Sequence, residues 1–137
     1  MKRVTFDVDP VAKPRQTQAD KWKKRPIVVR YREYADKLRD VWQDTVLPDS
    51  GIVLIFNIPM AQSWSETKKK TFEGTPHQQR PDLDNLVKGF FDALKDEDSM
   101  IWSFVASKFW AREGSVELIL PEVADVQEDS VIIVPND

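Results

Sequence analysis

Residues 52–58, Ile-Val-Leu-Ile-Phe-Asn-Ile, form a nearly continuous apolar run. The run is short and rich in β-branched side chains, which predicts a buried strand. Pro48-Asp49-Ser50-Gly51 supply the turn that opens it. On either side the period changes from strand to helix. From Arg30 to about Val46, the residues Tyr31, Tyr34, Ala35, Leu38, Val41, Trp42 and Val46 recur every three or four positions, which predicts one long helix with a single apolar face. Leu83, Leu86, Val87, Phe90, Phe91 and Leu94 repeat that spacing and predict a second. A chain of 137 residues can bury one core but not two. The expected fold is therefore α/β (α+β), a single compact domain with a small mixed β-sheet packed with two main helices.

The segments between these elements fill in the plan. Val4, Phe6 and Val8 alternate with polar residues as a half-buried strand that Pro10 ends. Ala12 to Pro26 is basic and proline-bounded without a regular period, so it reads as a loop or arm. Ser63-Trp64-Ser65-Glu66 reads as a capping box opened by Ser63, ahead of a short helix that carries Lys68, Lys69 and Lys70 and stops near Gly74. A polar loop, Pro76 to Pro81, leads to the second long helix, and a tight acidic turn, Lys95 to Ser99, follows it. Ile101 to Trp110 and Ser115 to Leu120 read as a strand pair joined around Gly114. The domain is expected to cover residues 1–121. Residues 122–137 form an acidic tail in which Val131 to Val134 reads as a short terminal strand.

Charge and composition narrow the partners. No run approaches the roughly 20 apolar residues of a membrane span, and the basic N-terminus has no apolar stretch behind it, so neither insertion nor secretion is expected. The absence of cysteine removes disulfides, thiolate metal sites and thiol nucleophiles, and fits a cytoplasmic setting. The formal net charge of −3 conceals segregation: Lys13 to Arg39 holds ten basic residues against three acidic ones, whereas Glu113 to the end holds seven acidic residues and no basic one. One region can thus meet a polyanion while another faces away, although such runs are also ordinary solvated faces.

Chemistry gathers in Arg80-Pro81-Asp82-Leu83-Asp84-Asn85-Leu86-Val87-Lys88. Pro81 places Asp82 and Asp84 at or just before a first helical turn. An extended backbone there points the two carboxylates the same way, whereas an Asp84 already inside the helix shares a face with Lys88 one turn on. Such a cluster suits a hard divalent cation. Each residue also has an ordinary reading, as a helix cap, a dipole charge or an i,i+4 ion pair.

This segment, with Phe91-Asp92-Ala93-Leu94 after it, resembles the signature of the RusA family of Holliday junction resolvases. The resemblance extends more loosely to Lys13-Pro14-Arg15, the first helix and Ser63-Trp64-Ser65, and covers the chain to about Leu120. It implies Asp82, Asp84 and Asp98 as catalytic, metal-holding carboxylates and Lys88 as the catalytic lysine. It further implies Mg²⁺ dependence with Mn²⁺ as a substitute, no small-molecule cofactor, a homodimer, and paired symmetric nicks in branched four-way DNA. Phage origin and a role in recombination or DNA debranching follow from the same likeness. Glu97-Asp98-Ser99-Met100 departs from the family's Asp-Asp-x-Gln at the third carboxylate. Lys13, Arg15, Lys21, Lys23, Lys24, Arg25, Lys68, Lys69, Lys70 and Arg80 are the expected DNA contacts, with Trp22 as a stacking group. His77 is left outside the catalytic set as a surface-loop histidine, and Trp102 and Trp110 as packing or dimer residues. A flap or fork nuclease, a non-catalytic DNA-binding module and a plain interaction protein are the alternatives.

Overall fold

The computed structural model describes residues 2–15, 25–43, 46–95 and 98–121, with Asp98 described by its backbone alone. The acidic tail with its expected terminal strand, and Lys21, Trp22, Lys23 and Lys24, lie outside the described residues. The described elements are β1 (Lys2–Phe6), α1 (Pro26–Trp42), β2 (Ile52–Pro59), α2 (Glu66–Phe72), α3 (Leu83–Leu94), a 3₁₀ turn (Asp98–Met100), β3 (Phe104–Ala111) and β4 (Ser115–Leu120). None of the described helices is long and apolar enough to cross a membrane.

One four-stranded sheet organises the chain in the order β1-β4-β2-β3. β2 runs parallel to β3 and antiparallel to β4, and β1 closes the far edge antiparallel to β4. The mixed sheet is as expected, but the joined strand pair is not. β3 and β4 are consecutive in sequence and yet lie on opposite sides of β2. Strands two places apart sit about 10 Å from each other, and the three linking residues, extending at about 3.3–3.6 Å each, are enough to cross the end of β2. Gly114 allows that crossing, because a Cβ there would lie 2.8 Å from the Asp9 Cα and closer still to its carboxylate.

β2 buries alternate residues. Ile52, Leu54, Phe56 and Ile58 are buried, whereas Val53, Ile55 and Asn57 are half-buried. The apolar run therefore marks a central strand with one core face, not one sealed on both faces. On the other face Asn57 donates to Ser115 Oγ and to the Glu117 carboxylate, which also pairs with Arg3 at 3.0 Å. The core face joins Phe6, Val116, Leu118 and Leu120 to the apolar sides of α1 and α3 in one cluster.

α1 begins earlier than the apolar period alone predicts. Pro26 occupies its first turn, where the missing N–H costs nothing. It ends at Trp42, because Gln43 adopts φ 46° and returns its N–H to the Arg39 carbonyl, so Val46 falls beyond the helix and is exposed. α2 is capped by Ser65, whose hydroxyl accepts from Lys68 N at 3.1 Å. That corrects the expected cap at Ser63. Glu66, expected to reach back toward the cap, instead pairs with Arg112 at 2.7 Å. α3 spans the range that its apolar residues predict and packs on α1, with the Tyr31 hydroxyl donating to the Gly89 carbonyl at 2.7 Å. Burial raises the Tyr31 pKa to about 12, with the nearby Asp92 charge adding to the effect, so the phenol remains a donor at neutral pH.

Candidate active site

α3 is the platform. Asp82 is its N-cap, with extended backbone (φ −69°, ψ 143°), and its carbonyl accepts from Leu86 N at 3.1 Å. Its carboxylate makes no capping hydrogen bond. The helix starts at Leu83, so Asp84 is already in the first turn, where its carboxylate accepts the Asn85 N–H at 2.9 Å. Of the two geometries the sequence leaves open, the helical one holds. Asp84 and Lys88 stand one turn apart and line one open groove with Leu83, Val87, Phe91, Ile101, Phe104 and Ala106. Asp82 instead faces a neighbouring shallow hollow with Arg80, Pro81 and Asn85.

The ordinary alternative, an ion pair of Asp84 with Lys88, is not met among the described residues, where a different carboxylate holds Lys88. Its ammonium lies 3.1 Å from the Asp92 carboxylate, one turn further along α3. Asp92 also receives Lys13 at 3.5 Å, so one carboxylate holds a helix lysine and a lysine from the N-terminal segment side by side. An i,i+4 helix pair such as Lys88 with Asp92 contributes only about 0.3–0.5 kcal/mol, so its value is orientation more than stability. Lys13 reaches this position because residues 11–13 cross directly over the helix, with Lys13 N–H donating to the Asn85 carbonyl at 3.0 Å. Gly89 admits the crossing: a Cβ there would sit 3.1 Å from Lys13 N, Val11 O and the Tyr31 ring.

Asp98 lies in the 3₁₀ turn after α3, and its side chain is outside the described residues. The chain that follows it returns to the groove, where Ile101 and Phe104 face Asp84 and Lys88. Among the described residues no group of three or more His, Asp or Glu side chains could hold a metal ion. Two exposed carboxylates, Asp82 and Asp84, supply hard oxygen donors at the helix start, a partial donor set of the kind that Mg²⁺ completes with water and substrate oxygens.

The expected basic contacts are spread over several elements. Arg15 is exposed and its carbonyl accepts from Arg25 at 2.6 Å, which ties together the two described ends of the basic arm. Arg80 is exposed beside Asp82. Lys68 is held over the Trp64 ring at 3.9 Å, and Trp64 packs against both Phe72 and Trp110. That aromatic stack secures α2, which has no buried residue of its own, and presents Lys69 and Lys70 beside Lys68. Trp110 is a packing residue, whereas Trp102 is 78% exposed at the groove's approach.

His77 corrects a sequence reading, because it is buried and not on the surface. Its ring lies 4.3 Å from that of Trp110, its backbone N–H donates to the Lys108 carbonyl, and its Nδ1 is buried without a hydrogen-bond partner among the described residues. Burial first, and the Lys108 charge second, lower its pKa from 6.5. Below 6.5 the unfolded chain takes up a proton that the folded one resists. This contribution to stability is complete above that value and is lost as pH falls toward the lowered folded value. Urea midpoints of wild type are thus expected to drop from about pH 7.5 to about pH 5.5 more steeply than those of His77→Phe; parallel curves would dismiss the idea.

Two participants escape sequence reasoning. Asp92 stands in the Phe91-Asp92-Ala93-Leu94 segment that carries the resemblance, but it is not among the expected site residues, and its i,i+4 spacing from Lys88 is its local signal. Lys108 on β3 has no local signal, yet its ammonium donates to the carbonyls of Gln79 at 2.6 Å and Pro81 at 2.7 Å, immediately before Asp82.

Comparison with known proteins gives two matches and one blank. A family model described as endodeoxyribonuclease RusA matches residues 7–120, most of the chain. An uncharacterized protein of Bacillus subtilis strain 168, YqaN, is 38% identical over 74 residues, which cover 48% of this chain and 52% of the relative. The chain thus spans about half the length of the curated relative it matches. No solved structure matches.

Proposed function

The chain belongs to the RusA family of endodeoxyribonucleases, and on that premise we propose that it is a metal-dependent nuclease that resolves four-way DNA junctions. The observation that carries the reading is the placement of Asp84 and Lys88 along one groove of α3, beside an Asp82 carboxylate that the helix cap does not use.

In this reading Asp82, Asp84 and Asp98 would hold the ion, Mg²⁺ or Mn²⁺. When bound, such an ion lowers the pKa of a water and withdraws charge from a phosphate oxygen. The chain's own residues do the rest. The carboxylates take up the orienting work at the helix start, and Lys88, steadied by Asp92, offsets negative charge gathering on the phosphate as water oxygen bonds to phosphorus and the P–O bond to the departing sugar oxygen breaks. The leaving oxygen ends protonated, and no covalent enzyme intermediate is required. Lys13, Arg15, Arg25, Arg80 and Lys68 to Lys70 form the phosphate contacts around the platform, a role supported by their exposure or by their position beside it.

A single site cuts one strand, so resolution of a junction by paired nicks calls for two sites related by twofold symmetry, which a homodimer supplies. The setting is DNA recombination or debranching in a cytoplasm, with a phage as the source.

The test is cleavage of a labelled mobile four-way junction beside linear duplex of the same sequence, with Mg²⁺ and with chelator. Paired, metal-dependent nicks confined to the junction are expected. Equal cutting of flaps or forks would make the protein a broader branch nuclease, and tight junction binding without any cleavage would make it a binding module.

A further inference from the structure

Residues 74–77 run along the outer edge of β3, joined to it by Gly74 N to Trp110 O, Trp110 N to Thr75 O and His77 N to Lys108 O, each between 2.9 and 3.0 Å. The backbone pairing stops there. Among the described residues, no backbone hydrogen bond joins residues 78–81 to any other part of the chain until Asp82 enters α3. That unsupported stretch is the approach to the carboxylates, and one side chain bridges it. Lys108 donates to the carbonyls of Gln79 and Pro81 at 2.6 and 2.7 Å, from the half-buried middle of β3.

We infer that Lys108 is a positioning residue that sets the orientation of Asp82 by clamping the loop that delivers it to α3. The inference rests on the nuclease reading given above. The geometry explains the choice of side chain. An ammonium carries three donors on one atom and no acceptor, so it can satisfy two carbonyls two residues apart at once, and its charge strengthens each bond. The Pro81 carbonyl shares a rigid peptide plane with the Asp82 N–H. Holding that oxygen fixes the plane from which the Asp82 Cα and its carboxylate project. Lys108 itself belongs to β3, in register with Phe56 of the buried core. The clamp therefore refers the position of an exposed carboxylate to a strand paired along its whole length with β2, as supporting residues around a metal site do.

The experiment compares wild type with Lys108→Met, which keeps the stem and loses the donors, and with Lys108→Arg and Lys108→Gln. Three quantities are read on protein shown by urea melts to be folded: Mn²⁺ affinity from the spin-resonance signal of the free ion, junction affinity in chelator, and single-turnover junction cleavage. Amide exchange over residues 78–86 is followed separately. Lys108→Met is expected to weaken Mn²⁺ binding and to slow cleavage, each by about 10- to 100-fold, with junction affinity held within about twofold and Lys108→Arg recovering part of the loss. Faster exchange at Leu86, whose N–H donates to the Asp82 carbonyl, should accompany this. A folded Lys108→Met with wild-type Mn²⁺ affinity and exchange would overturn the inference. So would junction affinity falling in step with cleavage, since Lys108 would then be a DNA contact. If Lys108→Met does not fold, Lys108→Gln is judged by the same criteria. A wild type that neither binds Mn²⁺ nor cuts the junction would refute the nuclease reading, and amide exchange alone would then decide whether Lys108 clamps the loop.

Discussion

Replacing Asp82 or Asp84 with asparagine is expected to lower single-turnover cleavage of a four-way junction by about 10³-fold or more, while junction affinity in chelator changes by no more than about twofold. The substitution keeps size and shape and removes one negative charge, so it removes what a divalent cation recognises and little else. Neither carboxylate carries fold stability of note. Asp82 makes no side-chain cap, and among the described residues Asp84 accepts only the amide of its neighbour, Asn85. Their loss should therefore leave the urea midpoint close to wild type, within the roughly 0.5 kcal/mol typical of surface changes. Affinity for DNA in chelator could even rise slightly, because a negative charge beside the phosphates disappears. The separation of effects is the point: a large change in rate, none in folding and little in binding. An Asp84→Asn protein that cuts at more than a tenth of the wild-type rate would remove Asp84 from the catalytic set. A parallel loss of folding would return it to the status of a helix-start charge.

The sequence carried the helices of this fold far better than the sheet order, for a physical reason. α3 has six apolar positions on a helical period, and no competing pattern exists across Leu83 to Leu94. Helix identity is local, decided within a few turns. The place of β2 between β3 and β4 is decided by contacts far apart in the chain, such as Val53 with both Val105 and Ile119. A three-residue link at Gly114 looks like a hairpin from sequence and becomes a crossing because β2 pairs with β3 on one side and β4 on the other, with Asp9 packed against the glycine. The α2 cap follows the same logic. Ser63 and Ser65 are equally good acceptors, and the stacking of Trp64 on Phe72 and Trp110 favours the second. His77 sits in a polar loop, yet the bridge between Pro76 and Phe109 carries it under the edge of the sheet. For the candidate site, Asp82, Asp84 and Lys88 were legible because their spacing is itself helical geometry. The carbonyls that Lys108 binds lie 29 and 27 residues away in sequence, beyond the reach of any periodic pattern.

Truncating Phe90 to alanine is expected to cost about 3–5 kcal/mol of folding free energy, the range for a large aromatic removed from a packed core. Phe90 has no exposed surface, and its ring meets Phe6 at 5.6 Å, Phe56 at 6.3 Å and Phe91 at 5.9 Å, each edge to face. It is thus the point at which α3 touches β1 and β2 together. The space it leaves lies within one continuous cluster of buried side chains from the sheet and both long helices, so little collapse can refill it. A domain of this size has about 5–15 kcal/mol in total, which makes the loss a large share of the whole. The comparison is Phe104→Ala, whose ring also stacks on Phe91 at 5.4 Å but is 43% exposed at the groove. Its cost should fall well below that of Phe90. Urea unfolding read by tryptophan fluorescence measures both, and a Phe90→Ala cost under about 1 kcal/mol at unchanged slope would mean that α3 is not held by this contact. Function is tied to the result, because Asp82, Asp84 and Lys88 are all carried by α3 or its cap. A variant that leaves every candidate catalytic group in place but loosens the seat of α3 should lose cleavage as temperature rises well before wild type does.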